Sequence, residues 1–140
     1  ICLATGARWS EAEGLRGNQI RAGQIIYVKT KSKKNRAVPI TEKLQSELPF
    51  GRKDEPLFKP CYSAFRKAMQ RAGIEPPAGQ LTHVLRHTFA SHFMMNGGNI
   101  LVLQRILGHT DIKITMRYAH FAPEHLLEAV LFNPLNRMEL

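Results

Sequence analysis

The sequence predicts a mainly helical α+β domain carrying one small antiparallel β-sheet. Apolar residues recur at helical spacing in "YSAFRKAMQRAGI", at Ala64, Phe65, Ala68, Met69 and Ala72, and again through most of the chain beyond residue 82. Two β-rich runs, "GQIIYV" and "RAVPI", flank the basic loop "KTKSKKN", which signals a hairpin. Gly or Pro stands at each interruption of the later helical pattern, in "NGGN", "GHTD" and "FAP".

The elements follow in order. "ICLATGARWSEAEGL" is expected to form a helix interrupted at Gly6, then a second helical turn entered through Ser10 and Glu11. The hairpin comes next and builds a sheet of two or three strands. Thr41 is placed to N-cap "EKLQSEL", whose apolar positions are Leu44 and Leu48, and Pro49 stops that helix. The helix beginning near Tyr62 ends at Gly73, and "EPPAGQ" is a loop. Helices are then expected over about 82–95, 99–107, 111–119 and 123–132, with Asn99 and Asp111 at N-cap positions.

A chain of 140 residues with 44% hydrophobic residues is long enough for one cored domain and too apolar for a disordered segment. Its apolar runs, such as "LLEAVLF", are too short to span a bilayer, and "ICLATGA" lacks the basic flank of a signal peptide. Because it opens without Met inside a helical stretch, it is expected to be a single C-terminal piece, residues 1–140, of a longer protein. Lys and Arg number 20 against 11 Asp and Glu, a formal charge of +9 that favours a polyanion: nucleic acid ahead of an acidic membrane. Cys2 and Cys61 do not make a disulfide framework and point to a reducing compartment.

Four stretches carry possible chemistry. "THVLRHTFASH" puts His83, Arg86 and His87 within five positions of an otherwise apolar run, with His83 and Arg86 on one side of a helix. Arg is a poor neighbour for a metal ion, and the chain has no HExxH pair or paired Cys ligands, so a phosphate suits this pair better than zinc. In "ATGARWSE", Gly6 permits a close chain approach that aims Arg8 into a cleft, and Glu11 is three residues on, in reach to hold it. The loop crowds Lys29, Lys31, Lys33, Lys34 and Arg36, whose mutual repulsion a DNA backbone would relieve, with Lys31 near the tip. In "RILGHTDIKITMRYAHF", His109 follows a helix-ending Gly and Tyr118 lies nine residues later. A phenol titrates near about 10 and needs cationic neighbours or a base to act as a nucleophile. Taken singly, each stretch also fits a surface charge, an exposed ion pair or a packed aromatic.

Taken together and in order, "TGARWSE", a hairpin lysine, "HVLRHTFAS", "LGHTDIKIT" and "RYAH" resemble the tyrosine recombinase, or phage integrase, catalytic domain over nearly the whole chain. The resemblance implies the DNA breaking–rejoining fold of that family and a catalytic set of Arg8, Lys31, His83, Arg86, His109 and Tyr118, with Glu11 backing Arg8. Val84 stands where such enzymes often carry Asp, outside the catalytic set. It implies cleavage and rejoining of double-stranded DNA without a cofactor or metal, through a 3′-phosphotyrosine at Tyr118, in phage or prophage integration and excision in the bacterial cytoplasm. Lys29, Lys33, Lys34 and Arg36 are then further DNA contacts, and DNA-binding domains are expected upstream. The apolar stripe Leu126, Leu127, Val130 and Leu131 packs either on its own domain or on a neighbouring protomer of a tetramer on DNA, and a DNA-bending accessory protein is a further expected partner. A type IB topoisomerase-like relaxing enzyme and a catalytically silent DNA-binding module are the competing readings.

Overall fold

The chain turns sharply at its first glycine. In the computed structural model, which describes residues 1–28, 35–49 and 54–137, helix α1 (Cys2–Thr5) ends on Gly6 at φ 66°, in the left-handed region. A β-carbon here would lie 2.6 Å from Phe89 Cδ1 and 2.8 Å from Leu107 Cδ2, so both the turn and the close approach require glycine. The backbone N–H of Arg8 donates to Glu11 Oε2 at 2.8 Å, half of a capping box, and starts α2 (Trp9–Glu13) one residue ahead of Ser10.

Strands β1 (Ile20–Arg21), β2 (Gln24–Tyr27) and β3 (Arg36–Pro39) form an antiparallel sheet in the order β1-β2-β3. Ile25 pairs with Val38 and Tyr27 with Arg36, and these four residues make the buried face. Alternation along β3 therefore turns Arg36 inward. Its guanidinium lies 4.5 Å from the centre of the Tyr27 ring and donates Nη1 to Glu11 Oε1 at 2.8 Å and Nη2 to Glu11 Oε2 at 2.7 Å. With its side chain 6% exposed, Arg36 is a buried strut between β3 and α2, against the expectation that it stands with the loop lysines as a DNA contact. Lys29, Lys31, Lys33 and Lys34 lie outside the described residues.

Helix α3 (Glu42–Glu47) is capped by Thr41, whose Oγ1 accepts from the Leu44 N–H at 3.1 Å. Helices α4 (Tyr62–Arg71), α5 (His83–Met95) and α6 (Ile100–Leu107) follow the predicted order, and Asn99 caps α6 by accepting from the Leu101 and Val102 N–H groups. Asp111 caps α7 in the same way, accepting from the Lys113 N–H at 2.9 Å.

Two boundaries differ from expectation. Helix α7 (Ile112–Met116) stops short of Tyr118, because the Tyr118 N–H turns back to the Thr115 carbonyl at 3.0 Å and a 3-10 turn follows over Ala119–Phe121. The helix expected over 123–132 forms only as α8 (Glu128–Leu131). Leu126, Leu127 and Leu131 stand largely in solvent, at 80%, 77% and 68% exposed, and a helix that buries little apolar surface gains little from propagating. None of the described helices is long and apolar enough to cross a membrane.

Two apolar clusters result. One joins the sheet to α1 and α2 through Ala12, Leu15, Ile25, Tyr27 and Val38. The other packs α5 on α6 through Ala90, Met94, Leu103 and Leu107, and includes Tyr118.

Glu11 ties the sheet to α2. Burial alone would raise its pKa, but the hydrogen bond from Arg36, the Arg8 backbone N–H and both guanidinium charges override it and hold the carboxyl at about 2. A folded-state value below the ordinary 4.5 means that Glu11 stabilises the fold fully above that pH and loses its contribution as pH falls towards about 2. Glu11→Gln, which leaves the Arg36 charge buried without its counter-ion, is expected to lower unfolding stability by about 3 kcal/mol at pH 7. Urea unfolding at pH 7 and pH 3 checks this: the gap between wild type and variant should narrow at the lower pH, and an equal gap at both would refute the role.

Candidate active site

The sharp bend at Gly6 and the end of α6 leave two backbone carbonyls without helical partners. Arg86, on the inner face of α5, takes both. Its Nη1 donates to the Gly6 carbonyl at 2.7 Å and its Nη2 to the Leu107 carbonyl at 2.6 Å, with the whole residue 6% exposed. Nη2 also lies 3.1 Å from His109 Nε2. Because the arginine can only donate, Nε2 is the acceptor there, and the His109 proton sits on Nδ1, which donates to Thr115 Oγ1 at 2.8 Å.

Arg8 reaches the same place from α2. Its Nη1 is 3.2 Å from Glu11 Oε1, and its side chain is 25% exposed. Glu11 is thereby fully engaged, each oxygen accepting one bond from Arg36 and one from Arg8. Arg8, His83, Arg86, His109 and Tyr118 line one open cleft of about 320 Å³. The sequence places these residues up to 110 positions apart, and the fold brings them together. Lys31 is outside the described residues.

The electrostatics follow from burial among cations. Desolvation first, then the charges of Arg8 and Arg36, bring Arg86 down to about 10, so it remains protonated at neutral pH. Desolvation and the Arg86 and Arg8 charges push His109 down to about 4, which keeps it neutral. Burial raises the Tyr118 phenol above its ordinary value, against the pull of Arg117 and Arg86. The site is thus a cationic cleft with a protonated phenol at its edge.

Three of its residues carried no role in the sequence reading. His87 Nδ1 lies 2.5 Å from the Tyr118 hydroxyl, Thr115 fixes the His109 ring, and the exposed Arg117 lines the cleft. His83, expected to assist at the tyrosine, is exposed, with its ring centre 6.4 Å from that of His87 one turn further along α5. The i, i+4 spacing of His83 and His87 was the one available signal that both histidines face the same cleft. No group of three or more His, Cys, Asp or Glu side chains that could hold a metal ion occurs among the described residues.

The chain is 70% identical over 135 residues to the integrase of Escherichia phage 186, an alignment that takes in 96% of this chain and 40% of that protein. It is 34% identical over 150 residues to the tyrosine recombinase XerD of Brucella abortus, spanning 91% of this chain and 48% of that one. Its fold superposes on the catalytic domain of bacteriophage HP1 integrase with a TM-score of 0.92 and 62% identity, over 99% of this chain and 82% of that domain. The chain therefore spans about 40% of the length of the phage 186 relative. The phage integrase family model matches residues 51–125, which include Arg86, His109 and Tyr118, and the chain belongs to that family.

Proposed function

We propose that this chain is the catalytic domain of a site-specific DNA recombinase that integrates or excises a phage or prophage genome. The observation that carries the reading is the convergence of Arg8, Arg86, His109 and Tyr118 on one cleft. Two guanidinium groups are suited to the non-bridging oxygens of a phosphodiester, whose charge grows towards the transition state. Arg86 is the more rigid of the pair, since two carbonyls fix its planar group. His109, immobilised by Thr115, accepts from Arg86 and steadies its guanidinium towards the phosphate.

In the proposed reaction the Tyr118 oxygen attacks phosphorus, a P–O bond to tyrosine forms, and the bond to the 5′-oxygen breaks. Lys31, in the β2–β3 loop, is assigned the proton for that departing oxygen. The strands bearing this loop are tied to the site through Arg36 and Glu11. One phosphoester replaces another, so rejoining needs no external energy source. Lys29, Lys33 and Lys34 are assigned to the DNA backbone, and Arg36 is left out of that set because it is buried.

The greater length of the relatives supports further domains upstream of this one, where DNA sequence selection is assigned. The exposed tail, with Leu126, Leu127, Leu131 and Phe132 each at least 68% exposed, supports docking on a neighbouring protomer in a tetramer on DNA.

Full-length protein incubated with nicked suicide DNA is expected to form a covalent adduct that Tyr118→Phe abolishes; an adduct that persists in the variant rejects the nucleophile. Arg86→Lys keeps a positive charge but loses the planar fork, and single-turnover cleavage is expected to slow by about 10³-fold. A near-wild-type rate in folded variant would remove Arg86 from the chemistry. DNA affinity should fall steeply between 50 and 200 mM salt, and a flat profile in a binding titration would contradict contacts to the phosphate backbone.

A further inference from the structure

Tyr118 meets His87 across the junction of α5 with the end of α7. The phenolic oxygen and His87 Nδ1 are 2.5 Å apart, short for a hydrogen bond, and the two ring centres are 5.9 Å apart. Tyr118 is only 5% exposed and packs with Ala90, Met94, Leu103 and Leu107, so its hydroxyl is presented from a fixed ring rather than from a mobile one. His83, the histidine that the family pattern selects, is exposed and makes no hydrogen bond to that hydroxyl among the described residues.

We infer that His87 is the proton acceptor for Tyr118: its Nδ1 orients the phenol and takes the phenolic proton as the oxygen bonds to phosphorus. The inference rests on the transesterification reading above. As the P–O bond to tyrosine forms, the phenolic proton passes to Nδ1 and leaves an imidazolium. The P–O5′ bond breaks with its electron pair on the 5′-oxygen, which takes a separate proton from Lys31. On rejoining, the 5′-hydroxyl gives its proton back to Lys31 as its oxygen bonds to phosphorus, the P–O bond to tyrosine breaks, and the imidazolium returns its proton to the phenol. Atoms and charges balance without any added reactant.

The surroundings fit an acceptor. Partial burial first, then Arg117 from the end of α7 and His83 and Arg86 from α5 itself, hold His87 below the ordinary histidine pKa, so the ring is neutral at neutral pH. The phenol is held above its ordinary value and keeps its proton until a phosphate arrives. A neutral imidazole that accepts at Nδ1 must carry its proton on Nε2. A phosphodiester in the cleft adds negative charge beside the nascent imidazolium and favours the transfer.

Two measurements test this. Nitrogen NMR of the DNA-free chain at pH 7.5 should show His87 as the Nε2–H tautomer, and an Nδ1–H tautomer would overturn the inference. His87→Asn keeps an acceptor oxygen near the Nδ1 position but supplies no base. Full-length His87→Asn is expected to cleave nicked suicide DNA about 10²-fold more slowly, with DNA affinity unchanged within about twofold. Wild-type cleavage should fall as pH drops below the ordinary histidine value of 6.5, because protonated Nδ1 cannot accept, and that limb should vanish in the variant. His109, at about 4, would leave a lower limb common to both proteins. Wild-type rates in the variant, or slow cleavage with the upper limb intact, would overturn the role. Failure of Tyr118→Phe to abolish the adduct would instead overturn the recombinase reading, so the two can be told apart.

Discussion

Three guanidinium groups, Arg8, Arg36 and Arg86, are held close together around a single carboxylate, and the rest of the structure is arranged to make that possible. Glu11 accepts from the Arg36 guanidinium with both oxygens, from the Arg8 guanidinium with Oε1 and from the Arg8 backbone N–H with Oε2, so none of its capacity is left for Arg86. Arg86 is satisfied by carbonyl dipoles instead of a charge. The positive potential is therefore only partly neutralised. Burial first, and repulsion from Arg8 and Arg36 after it, lower the basicity of Arg86, which nevertheless keeps its proton at neutral pH. What remains is a fixed positive field in a partly desolvated cleft, set to receive an anion without reorganisation.

The same contacts close the fold. The Gly6 and Leu107 carbonyls lie at the ends of α1 and α6, where helical hydrogen bonding runs out, and Arg86 caps both. The chain reversal at Gly6 has room for its backbone only because no side chain stands between it and Phe89 and Leu107. Arg36 packs beneath Gly108 less tightly, the β-carbon position there being 3.1 Å from Arg36 Cδ. A substitution among these residues would disturb the packing of α1, α5, α6 and the sheet along with the chemistry, since one set of bonds serves both.

Tyr118 belongs to a core cluster and to the cleft at once. Its ring is packed among α5 and α6 residues while its hydroxyl reaches a histidine. Burial opposes ionisation, and the nearby Arg117 and Arg86 charges do not reverse that balance. The phenol therefore keeps its proton at neutral pH.

Local signals in the sequence were legible where the physics is local. Thr41, Asn99 and Asp111 cap the helices that their positions predict, because a side chain reaching a backbone N–H two or three residues on needs no distant partner. The hairpin, the turn at Gly6 and the pairing of Glu11 with Arg8 follow from short spacings for the same reason. Ordered motifs also group Arg8, Arg86, His109 and Tyr118, which the fold brings to one cleft. Other assignments depended on partners far along the chain. Arg36 was grouped with loop lysines by proximity in sequence, yet the pleat of β3 turned it inward onto Glu11, 25 residues away. His87 gained its meaning from a tyrosine 31 residues on, and the early end of α7, which no breaker residue announces, is what sets that tyrosine against α5. Charge, periodicity and caps are properties of neighbours in sequence, so the amino-acid order by itself determined the elements and the inventory of cations. Which cation is buried, which histidine meets the phenol and which carbonyls hold Arg86 are properties of packing, and only the tertiary structure could decide them.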